Sequence, residues 1–142
     1  MNEHEHQKAV FEWAGYMLGR FPELHTMHAI PNGGHRDVRV ARKLKAEGVK
    51  PGVSDICWPC PRGGYHGLYL EMKKVGGYLD KAGTQTAWLE SMAAMNYRAV
   101  CAWGFESAIK ALQDYLFLPM STDKPIDETF LKYKRKKKGG PL

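Results

Sequence analysis

The chain has 142 residues, 44% of them hydrophobic and 25% charged, with 21 Lys/Arg against 15 Asp/Glu for a formal net charge of +6. That length and composition fit one globular domain and exclude a disordered chain or a protein with two cores, and no apolar run is long enough to span a bilayer. The opening residues, MNEHEHQKAV, are polar without a signal-peptide pattern, so the expected location is cytoplasmic and the chain is not expected to be secreted.

Residues 3 to 19 read as an amphipathic helix, with Val10, Phe11, Ala14, Met17 and Leu18 on one stripe and Phe21-Pro22 ending it. Glu3 and Gln7 share a face of its first turn, where Glu3 suits the helix dipole or could be a carboxylate carried to a site. His25 to Ile30 reads as a short strand that stops at the flexible Pro31-Asn32-Gly33-Gly34 loop. Asp37 to Glu47 is helical, with Val38, Ala41 and Leu44 at helical spacing and Gly48 as the C-cap. Around that stripe stand Arg36, Arg39, Arg42, Lys43 and Lys45, followed by Lys50. Such a basic face is either solvated or a contact surface for phosphates.

The stretch Gly52 to Lys73, GVSDICWPCPRGGYHGLYLEMK, reads as two short strands joined by a Pro/Gly-rich connector. Side chains two apart on a strand share a face, so Glu71 and Lys73 project together while Met72 turns to the other layer. Antiparallel pairing then sets Asp55, at the start of the first strand, beside Glu71 and Lys73 at the end of the second. Two carboxylates and an ammonium in one place are costly unless a cation or substrate offsets the repulsion and desolvation. Oxygen ligands of this kind suit Mg²⁺ or Mn²⁺, and the chemistry they suggest is metal-assisted phosphodiester hydrolysis. The bland reading is a turn residue and a solvated strand face.

Gly76 to Gly83 reads as a loop, and Thr84 as the N-cap of a helix to about Asn96 with Trp88, Leu89, Met92 and Met95 inward. Gln85 lies in its first turn, either a surface residue or one that faces the site beyond Lys73. Arg98 to Trp103 is a buried strand, and Phe105 to Leu116 a helix with Ile109, Leu112 and Leu116 inward. The alternation predicts an α/β fold, a mixed central sheet of about four strands flanked by helices. Residues 1–120 form the folded domain in this reading. Residues 121–142 form a basic tail that holds 7 Lys/Arg and 3 Asp/Glu, against 14 and 12 in the rest of the chain. The run Lys132 to Lys138 is expected to repel itself into a disordered arm, and the basic balance points to an anionic partner such as nucleic acid. Three cysteines argue against a disulfide framework, and the Cys57/Cys60 CxxC lacks the second pair a zinc site needs.

In order, Glu3-x-x-x-Gln7, Pro31-Asn32-Gly33-Gly34 with Arg36, Gly48-Val49-x-x-Gly52-Val53-Ser54-Asp55, Gly67-Leu68-Tyr69-Leu70-Glu71-Met72-Lys73 and Gln85-x-x-Trp88 resemble the VRR-NUC family (virus-type replication-repair nucleases) of the PD-(D/E)XK superfamily. The resemblance covers most of residues 3 to 116 and is to compact, stand-alone phage and bacterial members. Ser54 stands where the superfamily has proline. The resemblance implies a restriction-endonuclease-like core and a Mg²⁺- or Mn²⁺-dependent DNA endonuclease of a bacterial or phage-infected cell. In it, Asp55, Glu71 and the Met72 carbonyl would hold the metal, and Glu3, or the nearby Glu5, would complete the site. Lys73 would act on the attacking water and Gln85 would hold the lysine or the water. It also implies four-way junctions as substrate, a homodimer, and Arg36, Arg39, Arg42, Lys43, Lys45 and Lys50 as backbone contacts. The alternative from another class is a non-catalytic DNA-binding module that uses the basic helix and tail.

Overall fold

The computed structural model describes residues 1–31, 37–119 and 129–134. Five strands form one mixed sheet in chain order: β1 (His28–Ala29), β2 (Ile56–Trp58), β3 (Leu68–Lys73), β4 (Arg98–Trp103) and β5 (Leu131–Tyr133). The first three pair antiparallel, and β4 and β5 continue the sheet in parallel. Strand alternation sorts β3 and β4 onto two faces. Leu68, Leu70, Met72, Val100 and Ala102 pack with Val10 and Ala14 of α1 (Glu3–Met17) and Ala108, Ala111, Leu112 and Tyr115 of α4 (Phe105–Leu116). On the other face Ala99, Cys101 and Trp103 meet Leu89, Met92 and Ala93 of α3 (Thr84–Ala94). Glu71 and Lys73, at odd positions of β3, therefore belong to the α3 side, opposite Met72.

The α/β architecture of a mixed sheet between helices is the expected one, with local differences. The sheet has five strands, because Leu131 and Tyr133 alternate as apolar positions and pack against the core, and the Tyr133 hydroxyl donates to Asp114 at 3.0 Å. Residues 131–133 therefore belong to the sheet and not to the free arm expected from residue 121. The charge run hid two core-facing residues. Pro22 starts a 3₁₀ turn, Pro22–Thr26, where a longer strand from His25 was expected, and only His28 and Ala29 pair with β2. Met95 caps α3 and is exposed, while Tyr115 takes a core place on α4 and Ile109 is half-buried. The segment α2 (Val38–Ala46) is a helix, capped by Asp37 through the Arg39 N–H at 2.8 Å, but none of its residues is buried. The Asn32-Gly33-Gly34 loop, Arg36, residues 120–128 and the basic run from Arg135 lie outside the described residues. No described helix is long and apolar enough to cross a membrane.

Candidate active site

The β2–β3 register pairs Ile56 with Leu70, so Asp55, one residue before β2, falls beside Glu71. Two contacts fix it there. The Ile30 N–H donates to the Asp55 backbone carbonyl at 2.7 Å, and the Met72 N–H donates to Asp55 Oδ2 at 2.7 Å. Glu71 is 2% exposed, and its Oε2 has no hydrogen-bond partner among the described residues. An orphaned, buried carboxylate oxygen is expensive unless protonated or occupied.

The electrostatics follow from that placement. Burial, and then the negative charge of Asp55, push the Glu71 carboxyl up to about 9. Burial also raises Asp55, against which the Met72 N–H stabilises the ionised form. Lys73 favours ionisation of both, and the charge of Glu3 opposes it in both. Burial thus pushes both carboxyls toward the protonated form, a balance that a divalent cation would reverse. Hard oxygen donors with one oxygen unsatisfied fit Mg²⁺ or Mn²⁺.

Lys73 is 7% exposed, and its Nζ donates to Gln85 Oε1 at 2.7 Å. Gln85 reaches it because α3 starts against Gly52, in the segment that leads to Asp55. A Cβ on Gly52 would stand 2.4 Å from the Thr84 carbonyl oxygen, and its φ of +85° is itself unfavourable for other residues. Gly52→Ala should therefore cost about 2–3 kcal/mol and separate Lys73 from Gln85. Thermal melts beside a cleavage assay check it, with both stability and rate expected to fall. Ser54 is fully buried, and its Oγ has no hydrogen-bond partner among the described residues.

Glu3 and Glu5 are told apart by their contacts. The Glu5 side chain accepts from the Asn2 N–H at 2.8 Å, and Asn2 Oδ1 accepts from the Glu5 N–H at 2.9 Å, a reciprocal cap of α1. Glu3 is exposed and acts on Asp55 and Glu71 through its field. Among the described residues no group of three His, Cys, Asp or Glu side chains comes together to hold a metal. Arg39, Arg42, Lys43, Lys45 and Lys50 are exposed on and after α2. Sequence reasoning passed over His6, buried one turn beyond Glu3. Its Nδ1 accepts from the Phe105 N–H at 3.0 Å and so ties α1 to the start of α4. Its spacing of three from Glu3 was the only signal available.

A solved structure described as a VRR_NUC domain protein superposes on the chain with a TM-score of 0.70 at 32% identity, over 84% of this chain and 91% of that one. The chain belongs to the VRR-NUC family. No family model matches it, and no curated protein does. The VRR-NUC assignment makes this a nuclease domain, and its Asp55, Glu71, Lys73 and Gln85 lie together at one end of the β2–β3 hairpin.

Proposed function

We propose that the chain is a divalent-metal-dependent endonuclease that hydrolyses phosphodiester bonds in branched DNA, four-way junctions above all, in the cytoplasm of a bacterial or phage-infected cell. The observation that carries this reading is the pairing of half-buried Asp55 with buried Glu71, whose Oε2 has no partner among the described residues, beside a Lys73 oriented by Gln85. Asp55 and Glu71 would hold Mg²⁺ or Mn²⁺ with the Met72 carbonyl, and Glu3 would complete the charge of the site from α1. When bound, the ion supplies Lewis-acid polarisation of the phosphate. The chain's own residues do the rest. The Met72 N–H keeps Asp55 ionised and pointed inward, and Gln85 limits the swing of the Lys73 ammonium. Lys73 would then orient the attacking water and stabilise charge that develops on the phosphate.

Arg36, Arg39, Arg42, Lys43, Lys45 and Lys50 contact the duplex backbone in this reading, which suits recognition of shape over sequence. A two-fold homodimer would offer two sites to the two strands of a symmetric junction. A module that only bound DNA would gain nothing from Asp55 and Glu71, whose charges repel phosphates. The domain is taken as residues 1–120 with β5 added to its sheet, and the basic residues beyond Lys134 as a further DNA contact.

The test uses labelled four-way junction, flap, single-stranded and duplex DNA in Mg²⁺, Mn²⁺ or EDTA, with Asp55→Ala as control. Junction cutting that needs the metal and disappears in the control is the expected result. Binding without cutting in either metal would leave the DNA-binding module as the reading.

A further inference from the structure

Behind Lys73 the chain builds a hollow that the reaction above does not use. Lys73 pairs with Trp103 in the sheet, and its carbonyl accepts from the Gly104 N–H at 2.8 Å, so the β4–α4 turn is held against the end of β3. Around that turn Met1, His6, Val75, Trp103, Gly104, Phe105 and Glu106 line a hollow of about 340 Å³. Gly104 has φ +89°, and a Cβ there would approach Val75 Cγ2 to 3.0 Å and His6 Cε1 to 3.6 Å. The floor is therefore a glycine that lets the two walls close in. The size lies at the lower end of small-ligand pockets, and the aromatic lining suits a flat ring.

The polar groups on this hollow form a pattern. Because His6 Nδ1 accepts from the Phe105 N–H, the neutral imidazole carries its hydrogen on Nε2, the nitrogen with no hydrogen-bond partner among the described residues. Glu106, exposed at the start of α4, offers a carboxylate acceptor. One donor and one acceptor over aromatic walls match a nucleobase edge, whereas the Glu106 charge opposes a phosphate. A second hollow shares Val75 and Trp103 and adds Gly76, Gly77 and Lys134, whose Nζ lies 4.9 Å from the Trp103 ring centroid. A cation thus stands over the same indole.

We propose that the hollow between His6, Trp103 and Glu106 receives an unpaired nucleobase of the strand entering the Asp55–Glu71–Lys73 site. This rests on the nuclease reading above. Every base carries a hydrogen-bond donor next to an acceptor along one edge, so Glu106 and His6 are satisfied together by any of the four. A branch point offers such a base cheaply, since its pairing and stacking are already weakened.

The experiment measures binding of the full chain in EDTA, by fluorescence anisotropy, to four-way junctions with one abasic residue placed in turn at each position around the branch. One position is expected to lower affinity about tenfold, the scale of one stacked base. Val75→Trp fills the hollow from a half-exposed position and should abolish that dependence with other DNA contacts intact. Uniform affinity at all positions, absence of DNA binding, or a Val75→Trp protein altered only in oligomeric state would each overturn the pocket. Metal-dependent cutting by the same preparations is scored separately. Cutting with a flat abasic scan removes the pocket alone, and an abasic effect without cutting removes the nuclease reading alone.

Discussion

Lys73→Ala is expected to lower the rate of junction cleavage by about 10²–10⁴-fold, the range associated with loss of a positioned acid–base or charge-stabilising group, while DNA affinity changes little. The split follows from burial. At 7% exposure the Lys73 ammonium lies too deep to contribute to long-range attraction of the duplex, which falls to exposed residues such as Arg39, Arg42, Lys43 and Lys45. Its effect is local, on the carboxylates whose ionisation it favours and on Gln85, to which it donates at 2.7 Å. Gln85→Ala should reproduce a smaller part of the loss, because the lysine remains but is free to swing. The double variant should be no slower than Lys73→Ala alone if Gln85 acts only through the lysine. Single-turnover rates at saturating metal, beside affinities in EDTA, make the comparison. Cleavage retained by Lys73→Ala would take the lysine out of the mechanism.

The hairpin geometry was readable from residue order because β-strands have a period of two and the connector is short. Once β2 and β3 pair antiparallel, Asp55 must fall near Glu71, and Met72 must face α1 and α4. Motif order added the family and the partnership of Lys73 with Gln85, which local pattern alone left as a surface glutamine. Other features depend on distant contacts and were not readable. The Gly52 approach to Thr84 joins residues 32 apart in the chain, and nothing in the local composition announces that a Cβ there would meet a backbone carbonyl. That Glu5 caps α1 depends on its reciprocal contact with Asn2, a local contact that the sequence permits at more than one register. The fifth strand was hidden by its own charge, since Lys132 and Lys134 flank Tyr133 and made the whole segment read as a solvated arm. His6 carried no chemistry in the sequence, and only the fold brings it to Gly104 and Phe105.

The second large effect concerns stability. Glu71→Gln should abolish cleavage and yet stabilise the metal-free protein. The Glu71 carboxyl holds its proton up to about pH 9 in the folded protein, against the ordinary glutamate value of 4.5. Between those two values the folded state binds more protons than the unfolded state. The contribution of Glu71 to stability is therefore fully present below the lower value and is lost as pH rises toward the higher one. At pH 8 the wild-type chain without metal keeps a proton that the unfolded chain releases, and a neutral amide carries no such cost. The gain for Glu71→Gln at pH 8 is expected to be about 2–3 kcal/mol, a rise in Tm of roughly 10 °C for a domain of this size, and it should vanish near pH 4. Divalent metal should reverse the order, because it stabilises the ionised pair in the wild type and finds one carboxylate fewer in the variant. Thermal melts of both proteins from pH 4 to 9, in EDTA and in Mn²⁺, test both halves. A variant no more stable than wild type at pH 8 in EDTA would mean that the Asp55–Glu71 pair is already relieved by a contact within the chain, and the cation would lose its electrostatic rationale.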